Sequence, residues 1–201
     1  MAKVLYIKAN PKSNEESRTF RISEHFIEEY KKTHPEDEII ELDLYKEGIH
    51  FLSNDDINTI MGPNKENLRN HPILKYTYQF VDADKYVIAT PMWNLGVPAI
   101  LKAYFDYVSV TGITFKYTEN GPVGLLKNKK GVVIMTTGGE YLEPPFDQMD
   151  FASKYVTTML KFFGVEEVSV VAAQRLDIIG EDVEKLVGDA KKQAEELAKT
   201  F

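Results

Sequence analysis

The chain has 201 residues, 43% of them apolar, and a formal net charge of −7, which suits one α/β domain (residues 1–201) with a sizeable core. The acidic balance argues against a nucleic-acid or membrane-surface binder, because phosphate-rich partners call for a basic face. The absence of cysteine excludes disulfides, thiol nucleophiles and cysteine-ligated metals. We find no signal peptide and no segment of transmembrane length, so we expect a cytoplasmic protein.

The first quarter of the chain alternates between strand and helix patterns. Residues 3–9 contain a short apolar run, typical of a strand buried on both faces. A polar loop at 10–16 leads into a helical pattern at 17–32. A second strand is predicted at 39–44, and the mixed composition of residues 45–65 predicts a loop with a short helix.

The middle of the chain carries the strongest strand pattern. Residues 73–80 predict the end of a helical segment, and residues 86–90 predict a third buried strand that ends at Pro91. Residues 98–108 predict a helix, with Pro98 suited to its first turn. Alternation at 113–117 followed by a Gly-Pro turn predicts a short hairpin.

The last third repeats the alternation. Residues 131–136 predict a fourth buried strand and residues 168–173 a fifth, with helices predicted at 151–163 and 181–199. Five strands that alternate with helices predict an α/β fold, a five-stranded parallel sheet covered by helices on both faces. In such a sheet, ligands bind beyond the carboxyl ends of the strands, near the point where strand order reverses.

The loop after the first strand offers groups that suit an anion. Ser17 and Thr19 supply hydroxyls, and the backbone amides of the helix start point toward such a ligand. The loop lacks both the nucleotide-triphosphatase and the dinucleotide glycine patterns, so it predicts a phosphate site of another kind. Ordinary capping of the helix by Ser17 is the alternative. Glu15 and Glu16 would disfavour a phosphate unless their side chains point outward.

Two further clusters follow the third and fourth predicted strands. In residues 90–98, Met92 and Trp93 suit the walls of a site for a flat ring system, and Asn94 suits a hydrogen-bond donor to it. Residues 136–139 end the fourth strand with two glycines, which allow a ligand to approach the backbone closely. An aromatic turn packed on the core and a plain turn are the alternatives for these two clusters.

These clusters carry a family resemblance that covers nearly the whole chain. The specific motifs are residues 89–94 (ATPMWN), 114–125 (TFKYTENGPVGL) and 136–139 (TTGG). They resemble the FMN-dependent NADH-azoreductase family, within the flavodoxin-like quinone reductases. The resemblance implies a flavodoxin-like fold, tightly bound FMN, NADH as electron donor, and quinones and azo compounds as acceptors.

The resemblance also implies which residues hold the cofactor. The FMN phosphate would lie at the first helix, the isoalloxazine at the loop after the third strand, and its pyrimidine edge at the end of the fourth. Many relatives have a hydroxyl residue after the first strand, where this chain has Ala9 and Asn10; Asn10 still offers a side-chain amide. The predicted cofactor-binding residues are Asn10, Ser17, Arg18 and Thr19 at the phosphate, Pro91, Met92, Trp93, Asn94 and Leu95 at the ring, and Thr136, Thr137, Gly138 and Gly139 at the pyrimidine edge.

A homodimer with its two flavin sites at the interface is a further expectation, which the resemblance also implies, because a two-fold axis lets each chain close the other's pocket. No catalytic residue is predicted, since the flavin supplies the chemistry. Tyr117, Tyr141 and Phe163 are candidates for the border of the substrate pocket. Apolar side chains expected near the shared edge are Ile100, Leu101, Tyr104, Phe105, Val108, Phe115 and Tyr117. Packing inward on the sheet is the alternative, which must hold for some of them.

The same fold also serves other functions. A flavodoxin-type electron carrier and a general NAD(P)H:FMN reductase remain as alternatives. A receiver-type signalling module needs an acidic pocket and an Asp after the third strand, where this chain has Thr90 and Pro91. The four histidines are scattered, without the spacing of a catalytic zinc site.

Overall fold

A computed structural model describes residues 1–61 and 68–201. Five parallel strands form its sheet, β1 (Lys3–Lys8), β2 (Glu38–Asp43), β3 (Lys85–Pro91), β6 (Lys130–Thr136) and β7 (Glu167–Ala173). A separate antiparallel hairpin is formed by β4 (Phe115–Thr118) and β5 (Gly121–Gly124). The order in the sheet is β2-β1-β3-β6-β7, which is the flavodoxin-like arrangement.

Helices cover both faces of the sheet. Those within the described residues are α1 (Arg18–Thr33), α2 (Asn54–Met61), α3 (Lys75–Asp82), α4 (Ala99–Val108), α5 (Ser153–Phe163) and α6 (Val183–Ala198). On one face, α1 and α6 bury side chains such as Phe26 and Val187 against the sheet. On the other, α3, α4 and α5 do the same with Phe80, Phe105 and Leu160. The core is therefore two apolar layers separated by the sheet.

The apolar runs of the sequence form the inner strands of the sheet, because both faces of these strands are covered and neither is exposed to solvent. All of β1 but its first residue is buried, and the same holds for β3 and β6. Successive residues of a strand point to opposite faces, so Leu5 and Ile7 join one layer while Val4 and Tyr6 join the other. Edge strands β2 and β7 are only partly buried.

The topology places four loops at one edge. Strand order reverses between β1 and β3, which are direct neighbours with Ile7 opposite Ile88. The carboxyl ends of β1, β3, β6 and β7 all point to this edge because the strands are parallel. A crevice at such a switch point is where open α/β sheets bind their ligands.

The predicted elements are confirmed, with small shifts at their ends. Pro98 precedes α4 as its N-terminal flanking residue instead of opening the helix. A short 3₁₀ turn at Pro72–Leu74 precedes α3, because proline begins a helical turn readily. The short helix expected within residues 45–65 is α2; the part of that prediction covering residues 62–65 lies outside the described residues. None of the helices in the described ranges has the length and apolar character needed to cross a membrane.

Two expectations about exposed aromatic and apolar side chains are wrong. Phe163 has no exposed surface, so it cannot border a substrate pocket. Most of the apolar side chains of α4 and β4 that we expected at a shared edge pack inward. Helix α4 lies against α3, and its Phe105 ring contacts Tyr155 and Phe163 of α5. The buried ones are Leu101, Tyr104, Phe105, Val108 and Phe115. Ile100 is half-buried, and Tyr117 is 70% exposed.

Candidate cofactor site

A cavity of about 360 Å³ opens at the carboxyl edge of the sheet, at the ends of β1, β3, β6 and β7. Its volume lies within the range of about 300–1,000 Å³ that is usual for cofactor and ligand sites. Most of the predicted cofactor-binding residues line it: Asn10, Ser17, Arg18, Thr19, Pro91, Met92, Trp93, Thr136, Thr137 and Gly138. The three loops singled out in the sequence therefore meet in one cavity.

Ser17 ends the first loop and caps α1. Its hydroxyl oxygen accepts the backbone N–H of Phe20 at 3.1 Å and the side-chain amide of Asn10 at 3.0 Å. A hydroxyl has two acceptor positions and one hydrogen to donate. Because both acceptor positions are filled by protein, the hydrogen of Ser17 is left for another acceptor. The capping alternative is thus correct and compatible with an anion site.

The backbone at the start of α1 supplies further donors. The N–H groups of Arg18 and Thr19 are among those that a helix start leaves without an intrahelical acceptor. The first turn of α1 carries no acidic residue, so no carboxylate in it competes with a bound anion for the positive end of the helix dipole. The two acidic residues just before the helix are both exposed, and Glu16 also lines the cavity, where it accepts the N–H of Ser13 at 3.3 Å.

Thr19 joins the first loop to the strand ends. Its hydroxyl lies 2.6 Å from that of Thr136, and both side chains are buried. Thr136 also accepts the N–H of Met92 through its carbonyl at 2.8 Å. One residue of each of the three clusters therefore belongs to a single hydrogen-bonded unit in the cavity wall.

The side chain of Arg18 turns toward the loop after β7. Its Nη1 donates to the carbonyl of Leu176 at 3.1 Å and to the carboxylate of Asp177 at 2.8 Å. The guanidinium is thus partnered by protein, and it closes one side of the cavity together with Asp177. An anion at the helix start would meet the N–H of Arg18 without displacing this ion pair.

Trp93 stands on a tight two-residue turn. It pairs with Gly96 through two backbone hydrogen bonds, of 2.9 and 3.0 Å. Asn94 and Leu95 between them have positive φ angles of 50° and 68°, the pattern of the hairpin turn that Asn and Gly favour. The turn leaves the Trp93 ring 42% exposed at the cavity, where it forms an aromatic wall.

The opposite wall is the end of β6. Thr137 donates its hydroxyl to the carbonyl of Gly139 at 2.7 Å, and its N–H to Ala173 at 3.0 Å. A Cβ on Gly138 would lie 2.6 Å from the carboxylate of Asp177, so a side chain there would require the Asp177 side chain to move. These bonds hold the end of β6 as a fixed polar rim.

The outcome for the individual residues is mixed. Asn94, Leu95 and Gly139 do not line the cavity, although they shape the two turns beside it. Sequence reasoning missed Leu176 and Asp177, because we assigned no site to the loop after the fifth strand. The signal was available, since the fifth parallel strand ends at the same edge. Lys12 was passed over within a loop already recognised, and Glu16, considered there only as a charge that would disfavour a phosphate, also lines the cavity.

The residues present fit FMN on the evidence of the protein itself. An unused hydroxyl hydrogen at Ser17 and free helix-start amides suit a terminal phosphate, because such groups bind anions without side-chain charge. An exposed indole beside a fixed strand end suits a flat ring. Lys12 and Arg18 are balanced by Glu16 and Asp177 around the cavity, so backbone and hydroxyl donors have the main part in anion binding.

The sequence of this chain matches a known protein family and individual relatives. A family model described as flavodoxin-like fold matches residues 2–198. An FMN-dependent NADH:quinone oxidoreductase of Coprothermobacter proteolyticus is 81% identical over 201 residues, which is 100% of both chains. One from Caldicellulosiruptor saccharolyticus is 66% identical, again over 100% of both chains.

Solved structures agree in fold. An azoreductase from Bacillus anthracis strain Sterne has 36% identity and a TM-score of 0.90, with 100% of both chains covered. An FMN-dependent NADH-azoreductase from B. anthracis strain Ames Ancestor, solved in complex with FMN, has 29% identity and a TM-score of 0.88, with coverage of 100% of this chain and 99% of that one. The resemblance seen in the sequence is therefore confirmed, and the chain belongs to the flavodoxin-like fold family and, within it, to the family of the FMN-dependent NADH:quinone oxidoreductases and azoreductases.

Proposed function

We propose that this chain is an FMN-dependent oxidoreductase that transfers two electrons from NADH to quinones and to azo compounds. The observation that carries the proposal is one cavity that joins an anion position at Ser17 to an aromatic wall at Trp93. The relatives that are FMN-dependent NADH:quinone oxidoreductases and azoreductases support the cofactor, the donor and both acceptor classes.

In this proposal the protein binds the cofactor and the substrates and orients them, and bound FMN would supply the two-electron chemistry. Ser17 and the N–H groups of Arg18 and Thr19 would hold the phosphate. Trp93 and the end of β6 would hold the ring plane. Fixing the ring leaves one open side of the cavity for a second flat molecule, and such orientation lowers the entropic part of a reaction barrier.

The first experiment concerns the cofactor. The purified protein should be yellow and release FMN, not FAD, on denaturation, because the site has one anion position. Trp93 is the only tryptophan of the chain and lines the cavity, so FMN added to the apoprotein should quench its fluorescence. A colourless protein whose tryptophan emission does not respond to FMN would contradict the proposal.

The order of the reaction follows from the single open side. NADH and the electron acceptor would need the same place in turn, so NAD⁺ would leave before the acceptor binds. Steady-state double-reciprocal plots for NADH at several quinone concentrations should give parallel lines. Intersecting lines would reject this ping-pong order. The same assay with an azo dye in place of quinone tests the second acceptor class.

We also infer a homodimer in which each chain helps to close the pocket of the other. Exposed apolar side chains surround the Trp93 turn; Phe151, which is 61% exposed, donates its N–H to Leu95 at 3.1 Å, and Phe146 nearby is 50% exposed. A largely apolar groove of about 500 Å³ runs on from Gly96 past Phe151 and Tyr155. Contiguous exposed apolar surface of this kind marks an interaction site, and the expected partner is a second copy of this chain in the cytoplasm.

A further inference from the structure

Lys8 is a charged residue inside the sheet. It is the last residue of β1 and follows the apolar residues 4–7 of that strand, and only 2% of it is exposed. Its ammonium lies 4.7 Å from the centre of the Phe20 ring. Taking such a charge out of water is costly unless partners compensate it. Nothing in the proposed electron transfer uses this residue.

Three hydrogen bonds compensate the charge, and each goes to a different part of the chain. The Nζ of Lys8 donates to the side-chain oxygen of Asn14 at 2.6 Å, to Glu24 at 2.9 Å and to Glu41 at 3.1 Å. Glu24 belongs to α1 and Glu41 to β2, whereas Asn14 lies in the middle of the loop before Ser17. The ammonium of Lys8 therefore links that loop to the sheet.

The contact at Asn14 leads directly to the anion position. Ser13, next to Asn14, accepts the backbone N–H of Ser17 at 3.0 Å. Asn10, at the other end of the loop, donates to the Ser17 hydroxyl. Lys8 and Asn10 therefore hold the loop at two points, and Ser17 is the residue that both of these links orient.

We propose that Lys8 is a positioning residue for the loop that receives the FMN phosphate, and that it acts through Asn14. The inference rests on the proposed FMN site. Lys8 does not touch the cavity itself, so it acts on the ligand by holding donors in place. Preorganised donors bind more tightly because binding then costs less conformational entropy.

The test separates the phosphate from the ring by using two flavins. FMN and riboflavin differ only in the phosphate, so the ratio of their dissociation constants reports the phosphate contact alone. Titration of the apoprotein with each flavin, followed by Trp93 emission, gives this ratio for wild type, Lys8→Met, Asn14→Ala and Glu41→Gln. Glu41→Gln is the matched control, since it alters a Lys8 contact away from the loop.

We expect Lys8→Met and Asn14→Ala each to lower the preference for FMN over riboflavin on the order of tenfold, the scale of losing an outer partner of a binding group. Riboflavin affinity should stay near that of wild type. The double variant should be no worse than either single one, because both break the same link. Asn14→Ala keeps the ammonium, so its effect distinguishes positioning from simple attraction of charge.

An unchanged ratio in Asn14→Ala would overturn the inference while wild-type FMN binding stood. Because Asn14 is exposed, this variant decides the matter even if Lys8→Met does not fold. A loss of both flavins in step with thermal stability would also overturn it, since that would be a general structural role. A wild-type protein that bound neither flavin would instead overturn the proposed function, and this inference with it.

Discussion

At the scale of single residues, the candidate site depends on hydroxyl groups whose hydrogen bonds are already partly assigned. Ser17 accepts two bonds from the protein, from Asn10 and Phe20, which leaves its hydrogen to donate. Thr19 and Thr136 share one hydrogen bond, so the pair has a second hydroxyl hydrogen to offer. These groups lie at a helix start, where an anion is favoured.

Replacing Ser17 and Thr19 together by Ala should raise the dissociation constant of FMN by about two orders of magnitude or more. A hydrogen bond to a charged group contributes roughly 1.5–3 kcal/mol, and each 1.4 kcal/mol changes affinity about tenfold. Fluorescence titration of the apoprotein measures the change. Thr33→Ala, at the other end of α1, is the control. An FMN affinity equal to wild type would reduce Ser17 to a helix cap only.

Asp37 should make folding stability depend on pH. A hydrogen bond from Tyr30, then one from the N–H of Ala2, each 2.6 Å long, holds the pKa of this carboxyl below its usual range. The pKa of the Asp37 carboxyl is lower in the folded protein than in the unfolded chain, where it is about 3.9. Its contribution to the free energy of unfolding is therefore complete above that unfolded-state pKa and is lost as the pH falls through the folded-state pKa.

Asp37→Asn should therefore lower the free energy of unfolding at pH 7 by about 1–3 kcal/mol. The gap to wild type should narrow as the pH falls below about 4, where the wild-type carboxyl takes up its proton. Urea denaturation at a series of pH values measures both curves. A gap that stayed constant down to the acid limit of folding would show that the ionised carboxylate is not the cause.

At the scale of elements, the β4–β5 hairpin is locked onto the end of α5 by two glycines. A Cβ on Gly124 would lie 2.2 Å from the backbone nitrogen of Gly164. Gly164 itself ends α5 with a left-handed φ of 103°. The N–H of Leu126 completes the contact by donating to the carbonyl of Phe163 at 2.8 Å. This contact fixes where the hairpin presents Tyr117.

Gly124→Ala should lower the free energy of unfolding by about 1–3 kcal/mol, the usual effect of overpacking. The added carbon meets backbone, which cannot rotate away. Gly188→Ala in α6 is the matched control, because its Cβ would meet nothing within 4 Å; this change should raise stability by about 0.5–1 kcal/mol. Chemical denaturation compares the two. Equal effects of the two variants would argue against a locked hairpin.

At the scale of the whole molecule, one exposed apolar segment lies beside the Trp93 turn. Phe146, Met149 and Phe151 precede α5 and are all exposed, next to the Trp93 turn. Most of the α4 side chains that the sequence predicted at the interface are instead buried in the core. The shared face of a homodimer is therefore expected at the segment before α5 together with Tyr117.

Sedimentation equilibrium of the FMN-loaded protein should give twice the chain mass of 22.9 kDa. Phe151→Asp should shift it to monomer, because an unpaired charge in an apolar interface is costly, and should lower quinone turnover by at least about tenfold. Phe51→Asp, at a side chain that is 77% exposed in the loop after β2, is the control. A wild-type monomer with full turnover would reject the shared site.

Much of the fold follows from local pattern. The apolar runs at 3–9, 86–90 and 131–136 became the inner strands β1, β3 and β6, because only strands buried on both faces read as continuous apolar segments. The motif that contains Gly124 was recognisable from the sequence, but the structural reason for a glycine at this position was not. That reason is a close approach to α5, which is 29 residues or more further along the chain.

The sequence by itself determined the order of the elements, the edge at which the loops meet and most residues of the cavity, because strand polarity and burial act along the chain. Tertiary structure alone decided that Arg18 turns to Asp177, that α4 faces inward and that the charge of Lys8 is buried beneath a loop. Residue type states which contacts a side chain is able to make. Only the packing of distant elements selects the neighbour with which it makes them.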